Sequence, residues 1–432
     1  MKCSCCGRDH VCTVREVAAG RGAVGRLPEL LAKYGAKKPF VFCDPNTYRA
    51  AGARVLEILR ESGIDYRSYV MAEVRPKPDE HSVGSVAMHF DTSCDAIVAV
   101  GSGVLNDIGK ILANLTKKLY ITVATAPSMD GYASNSSSME RDGLKVSLYD
   151  QSPDILIGDD EILAAAPTRM ALSGLGDMLA KYVSICEWRI SHLVNGEYYC
   201  EQIADMMRSA LRSCVEHADR LLARDPEAVG EVFSGLVQAG VAMQYAGVSR
   251  PASGVEHYFS HIWDMRALAF GTPADLHGIQ CAVGTLYTVR MYEKLLTITP
   301  DREKARRFAE AFDYPAWAEK LKCLVGPAAD TMIALEKKEG KYDVAKHHAR
   351  LERILSHWEE IKAVIREELP SSLDLEALYR KIGLPTSAAE IGIDTADLKT
   401  VFYATKDIRD KYVLSHLAYD LGVSEELAEV LS

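Results

Sequence analysis

The stretch from Gly254 to Gln280 carries His257, His261 and His277, and imidazoles so spaced can hold a divalent metal. His257 and His261 are four residues apart and share one face of a helix, while His277 follows a Gly271-Thr272-Pro273 break that ends one helix before another starts. Two imidazoles on neighbouring helices, with a carboxylate from elsewhere, supply three protein ligands and leave one position open, as a catalytic zinc-type site requires. Asp177, closing the run Leu172-Ser-Gly-Leu-Gly-Asp177, is the carboxylate expected there. The spacing alone fits equally well a helix with two hydrogen-bonded, partly buried histidines and a third nearby by chance.

Such groups need a framework, and the pattern from Lys38 onward is that of an α/β domain. Apolar runs at 39–43, 65–70, 95–100 and 120–125 read as parallel strands, and helical periods at 48–62, 82–90 and 104–114 alternate with them. A last apolar strand at 153–160 precedes residues that read as helical throughout. The expected organisation is a Cys-rich lead-in at 1–37, a Rossmann-like parallel-sheet domain at 38–160 and an all-helical domain at 161–432. Helical runs are expected at 196–223, 226–247, 302–323, 328–337, 347–367, 372–381 and 404–421.

Strand 95–100 runs directly into Gly101-Ser102-Gly103, where glycines let the backbone approach an anion and the next helix turns its first N–H groups towards it. This is a pyrophosphate position, although the full G-x-G-x-x-G is lacking and an ordinary strand-to-helix turn looks the same. Asp44, at the tip of the first strand, suits an adenosine ribose hydroxyl and would repel a 2′-phosphate, favouring NAD(H) with NADP(H) second; the alternative is an Asx turn before Pro45. Strand 120–125 ends in Ala126-Pro-Ser-Met-Asp130-Gly-Tyr-Ala-Ser134, a small, hydroxyl-rich loop where α/β sheets bind ligands. A hairpin follows, and its Lys145 is a point charge available to a phosphate or to solvent.

The 432 residues are 48% hydrophobic and 25% charged, with a net charge of −10, an ordinary globular composition without a basic footprint for nucleic acid or anionic membrane. No apolar run of about 18 residues and no charged-apolar leader is evident, so a cytoplasmic protein acting on small molecules is expected. Of the 11 cysteines, Cys3, Cys5, Cys6 and Cys12 crowd with His10 into the first dozen residues. These are ligands enough for a tetrahedral metal clip, but C-x-C-C-x3-H-x-C is no standard finger, and a flexible, thiol-rich end is the alternative.

Taken together, Gly101-Ser-Gly-Val-Leu-Asn-Asp107-Ile-Gly-Lys110, Thr125-Ala-Pro-Ser-Met-Asp130-Gly-Tyr-Ala-Ser134, Gly174-Leu-Gly-Asp177, Glu256-His257-Tyr-Phe-Ser-His261 and Leu276-His277-Gly resemble the bacterial sn-glycerol-1-phosphate dehydrogenases. That family lies in the superfamily of iron-containing alcohol dehydrogenases, glycerol dehydrogenase and 3-dehydroquinate synthase. The resemblance covers about residues 38 to 290. It implies that Asp177, His257 and His277 hold one divalent metal, zinc or nickel. It also implies that Asp130, His261 and Asp177 act at the reacting centre and on the substrate; for the substrate phosphate, Lys145 and backbone amides near Ser134 are the candidates. Gly101, Ser102, Gly103, Val104, Leu105, Asn106, Asp107, Thr125, Ser128 and Ser134 would hold the dinucleotide. The family's triple glycine is Gly-Ser-Gly here, a departure that bears on cofactor affinity.

The implied reaction is reversible reduction of dihydroxyacetone phosphate to sn-glycerol 1-phosphate by NAD(P)H, on a metal-polarised carbonyl, in a homodimer or larger homo-oligomer. The product would feed a phospholipid or a teichoic-type polymer. A glycerol or polyol dehydrogenase is the nearest rival, and a 3-dehydroquinate synthase, which would place glutamate at Asp177, ranks lower. A nucleotide-binding scaffold without turnover is the non-enzymatic alternative, against which the three intact metal ligands argue.

Overall fold

The computed structural model describes residues 2–149 and 151–431, which divide into two units. Residues up to 178 and 206–248 make the first; 179–205 and 249 onward make the second.

The first unit is built on a parallel sheet of β1 (Glu16–Gly20), β2 (Pro39–Cys43), β3 (Arg67–Val70), β4 (Ala96–Gly101), β5 (Leu119–Ala124) and β8 (Ile155–Asp159). Their order is β1-β8-β5-β4-β2-β3, every neighbouring pair parallel. Alternation along the strands sends Val41, Val98, Val100, Ile121 and Val123 to one face. Phe40, Phe42, Ile97, Ala99 and Tyr120 go to the other, so both faces are covered, as a sheet of this kind requires. β6 (Ser136–Arg141) and β7 (Leu144–Tyr149) form a separate antiparallel hairpin. Its two-residue turn, Asp142-Gly143, has positive φ at both positions (53° and 74°), the turn that matches strand twist.

The expected parallel-sheet half and helical half are both present, and no strand follows Asp159 among the described residues. In the first unit two details differ from the sequence expectation. The lead-in supplies β1, an edge strand with a single buried residue, Ala18, and so with no apolar period to read. The division is also drawn elsewhere than near residue 160: the Pro226–Ala246 helix packs on β1, β8 and the helix Asp160–Ala165 and belongs with the sheet.

The second unit is helical. Val255–Phe270 and His277–Leu295 pack closely because Gly284 has no side chain: a Cβ there would lie 2.7 Å from the Glu256 carbonyl oxygen. Of the run expected at 404–421, only Leu398–Thr405 and Leu414–Asp420 are α-helical, and 406–413 is not. Buried Asp407 in that interval accepts hydrogen bonds from the Tyr342 hydroxyl (2.8 Å) and the Trp317 indole (3.0 Å), partners distant in sequence that local periodicity cannot reveal. No described helix is long and apolar enough to cross a membrane.

Candidate active site

In the first unit, β4 delivers Gly101 directly to the helix Gly103–Thr116. A Cβ on Gly101 would come within 2.3 Å of the Leu105 side chain, so the turn can close only with glycine there. Ser102 occupies the N-cap, and no side chain caps the first-turn N–H groups, which leaves the positive end of a 14-residue helix available to an anion.

The side chains of Asn106 and Asp107 face the neighbouring loop. Asn106 Nδ2 donates to the Gly131 carbonyl at 3.3 Å, and Asp107 Oδ2 accepts from the Ser138 N–H at 3.0 Å. Between them stands Lys110, fully buried, whose ammonium donates to the carbonyls of Gly131 (2.7 Å) and Ser136 (2.9 Å) and pairs with Asp107 (3.2 Å). Ser134 Oγ joins the same group, accepting from Lys110 and donating to the Ser136 carbonyl at 3.1 Å. Asn106, Asp107, Lys110 and Ser134 therefore fix the shape of the loop after β5. Lys110 stands one helical turn after Asn106 and Asp107 and shares their face, which is the signal the sequence offers for it.

The helix Thr168–Leu179 supports the same loop from its other side. Ser173 Oγ donates to the Ser128 carbonyl at 2.9 Å, and the fully buried Asp177 accepts from the Asp130 N–H at 2.9 Å through Oδ2. Gly174 permits this approach, since a Cβ would sit 2.0 Å from the Pro127 carbonyl oxygen. Thr125 donates its N–H to the Gly101 carbonyl at 3.1 Å, closing the β4 turn against the β5 turn. Asp44 caps the turn Pro45–Thr47 through Oδ1, accepting from the N–H groups of Asn46 (2.7 Å) and Thr47 (2.9 Å), so the Asx-type arrangement is present at the strand tip. Lys145 lies half-buried on β7, opposite Glu140 in register.

In the second unit the two histidine helices bring His257, His277 and Cys281 together, each offering a ligand atom within 4.8 Å of the other two. The rings of His257 and His277 are 5.1 Å apart, and His261 stands 5.9 Å from His277. His257 is buried, and its Nδ1 is held by Glu256 Oε1 at 2.7 Å; Nδ1 of His277 meets Ser260 Oγ at 2.9 Å. With Nδ1 of both rings so engaged, Nε2 is the atom each ring could offer a metal ion. Cys281, one turn beyond His277, puts its sulfur 3.6 Å from His277 Nε2. Burial raises the Cys281 thiol, but the two imidazoles and their hydrogen bonds outweigh it and the net shift is downward. The four-residue spacing of Cys281 from His277 puts both on one helix face, the signal in the sequence that could have found it.

Behind His257 lies a second carboxyl. Glu187, fully buried, accepts from the N–H groups of Val255 (2.9 Å) and Leu414 (2.7 Å). Burial above all, then the Glu256 charge, pushes Glu187 well above the usual carboxyl range. Gly254 is the space the two share: a Cβ there would meet Glu187 Oε2 at 2.5 Å and Glu256 Oε2 at 2.6 Å.

The iron-containing alcohol dehydrogenase family model matches residues 18–167. The glycerol-1-phosphate dehydrogenase [NAD(P)+] of Halalkalibacterium halodurans is 30% identical over 392 residues, 90% of this chain and 88% of that protein. The chain belongs to the glycerol-1-phosphate dehydrogenase family. Another member, from Bacillus velezensis, is 31% identical over 77% of this chain and 87% of its own. The fold is shared with the crystal structure of glycerol dehydrogenase from Schizosaccharomyces pombe, which superposes with a TM-score of 0.62 at 18% identity, covering 98% of this chain and 93% of that one. For the glycerol-1-phosphate dehydrogenase family the resemblance in the quoted motifs and the similarity over most of the chain agree.

Proposed function

We propose that this protein reduces dihydroxyacetone phosphate to sn-glycerol 1-phosphate with NADH, NADPH serving less well, using one zinc or nickel ion held by Asp177, His257 and His277. The observation that carries the reading is the buried Glu256–His257 hydrogen bond beside His277, which presents two Nε2 donors from one helix pair. The donor chemistry suits a divalent cation, because neutral imidazoles with a carboxylate are borderline-hard ligands. Asp177, just before the chain enters the second unit, is the carboxylate assigned to the set.

When bound, the ion supplies Lewis-acid polarisation of the substrate carbonyl and the dinucleotide supplies the hydride. The protein's part is positioning and proton movement. The uncapped amides at Gly103, Val104 and Leu105 hold the pyrophosphate, and the loop braced by Lys110 presents Thr125 and Ser128 to the dinucleotide and Asp130 to a substrate hydroxyl. His261, half-buried beside His277, hands a proton to the nascent alkoxide. Lys145 is assigned to the substrate phosphate. On this reading the enzyme works in the cytoplasm as a homodimer or larger homo-oligomer.

The test is metal analysis of the purified protein together with NADH and NADPH oxidation on dihydroxyacetone phosphate, repeated with Asp177→Ala and His257→Ala. Both variants are expected to lose the ion and nearly all turnover; full activity in either without metal overturns the assignment. A faster reaction with glycerol than with sn-glycerol 1-phosphate would move the protein to the polyol dehydrogenases.

A further inference from the structure

The thiol-rich start of the chain takes a definite shape. The Cys3 N–H donates to the Arg8 carbonyl and the Gly7 N–H to the Cys3 carbonyl, both at 2.9 Å, while Lys2 and Asp9 pair as an antiparallel bridge. Gly7 adopts a φ of 71°, the left-handed conformation that lets the chain turn back immediately after Cys6. The structure thus selects Cys3 and Cys6, a C-x2-C pair followed by glycine, and leaves Cys5 exposed. C-x2-C is the spacing of zinc-binding turns, a regularity hidden in the sequence by the intervening Cys5.

His10 completes the group. Its Nε2 is 3.4 Å from Cys6 Sγ, and Cys3, Cys6 and His10 offer ligand atoms within 4.8 Å of one another. With Zn–S of about 2.3 Å and Zn–N of about 2.0 Å, tetrahedral geometry separates a sulfur and a nitrogen ligand by about 3.6 Å, so the observed approach suits a shared ion. The His10 ring is seated on Tyr245, centroids 5.3 Å apart and planes 21° from parallel, which ties it to the Pro226–Ala246 helix. Just beyond, the Thr13 N–H donates to Gln244 Oε1 at 2.8 Å, and Gln244 Nε2 donates to the Ala133 carbonyl.

We propose that Cys3, Cys6 and His10 bind a structural zinc ion that fastens the start of the chain to the Pro226–Ala246 helix. This site is separate from the histidines of the second unit and does not rest on the proposed reaction. Nothing in it is redox: two thiols lose their protons to solvent on binding and the metal keeps its charge. A further thiol or a water takes the fourth position.

The experiment is zinc quantification by mass spectrometry on full-length protein purified under reducing conditions, comparing wild type with Cys3→Ser/Cys6→Ser and with His10→Ala. The double variant is expected to carry one zinc equivalent fewer per chain than wild type, whether wild type holds two or one, and to melt at a lower temperature. If the double variant is insoluble, His10→Ala is read instead and should release zinc to a chromophoric chelator at least tenfold faster. Cys5→Ser, Cys12→Ser and Cys200→Ser, made singly, identify the fourth ligand; loss of zinc in none of them assigns that position to water. Equal zinc in wild type, the double variant and His10→Ala, or a Cys3–Cys6 disulfide in protein purified under those conditions, overturns the proposal. Loss of dehydrogenase activity in Asp177→Ala with this zinc retained would show that the two metal assignments stand or fall separately.

Discussion

Replacing Glu256 tests whether the second unit is arranged to present His257 to a metal. Its Oε1 receives both the Gly254 N–H and His257 Nδ1, at 2.7 Å each, and its Oε2 is buried with no hydrogen-bond partner. Glu256→Gln keeps an oxygen for the two donors and places an amide N–H₂ where Oε2 crowds Glu187 beside Gly254. The metal-free protein is therefore expected to unfold at the same temperature as wild type or higher, because an unpartnered buried acceptor becomes a donor facing a carboxyl. Metal affinity moves the other way: the neutral amide makes His257 a weaker base, and loss of such a supporting group costs about 10–100-fold, roughly 1.4–2.8 kcal/mol. Glu256→Ala, which also releases the ring, belongs at the upper end of that range. The assay is competition for zinc against a chromophoric chelator, paired with thermal melting of the metal-free proteins. Wild-type affinity in both variants would refute the claim that Glu256 sets His257 for a ligand role.

Three further perturbations have determinate outcomes. Lys110→Met leaves the Gly131 and Ser136 carbonyls and Asp107 without their buried cation, and should cost about 3–5 kcal/mol in urea unfolding while weakening dinucleotide binding; an unchanged midpoint would contradict the bracing role. Gly101→Ala drives a methyl into Leu105 and is expected to cost about 1–3 kcal/mol and to raise the dinucleotide Kd, read by melting and by fluorescence titration. Burial, with the Arg250 charge adding to it, pulls the Lys411 ammonium down to about 7 from 10.5, so the folded state sheds its proton more readily than the unfolded chain. That cost is full below about pH 7 and fades as pH rises towards the ordinary lysine value, so Lys411→Met should raise the melting temperature more at pH 6 than at pH 9, and the reverse order would refute the burial argument.

Much of the frame is legible in local pattern. The run Pro39–Cys43 is buried at every position, as a two-sided parallel strand must be, and Asp142-Gly143 announces its hairpin by residue type. The histidine spacing also predicts the shared face of one helix and a break before the next. What escaped has non-local causes. β1 has one inward residue, and the interruption at 406–413 is made by charged side chains whose partners lie far along the chain. Gly174, Gly254 and Gly284 read as ordinary helix-region glycines until Pro127, Glu187 and Glu256 are seen to fill the places their side chains would need. Glu256 directly precedes His257, yet nothing in sequence spacing distinguishes a carboxylate that grips its neighbour's ring from one that faces water.

Gln244 gives the lead-in a hold on the loop after β5. One amide accepts from the Thr13 N–H with its oxygen and donates to the Ala133 carbonyl with its nitrogen. Tension on the first dozen residues is thereby delivered to the backbone that follows Tyr132, and stiffening them would quiet that backbone in turn. The lead-in and the loop after β5 thus meet at one side chain of the Pro226–Ala246 helix.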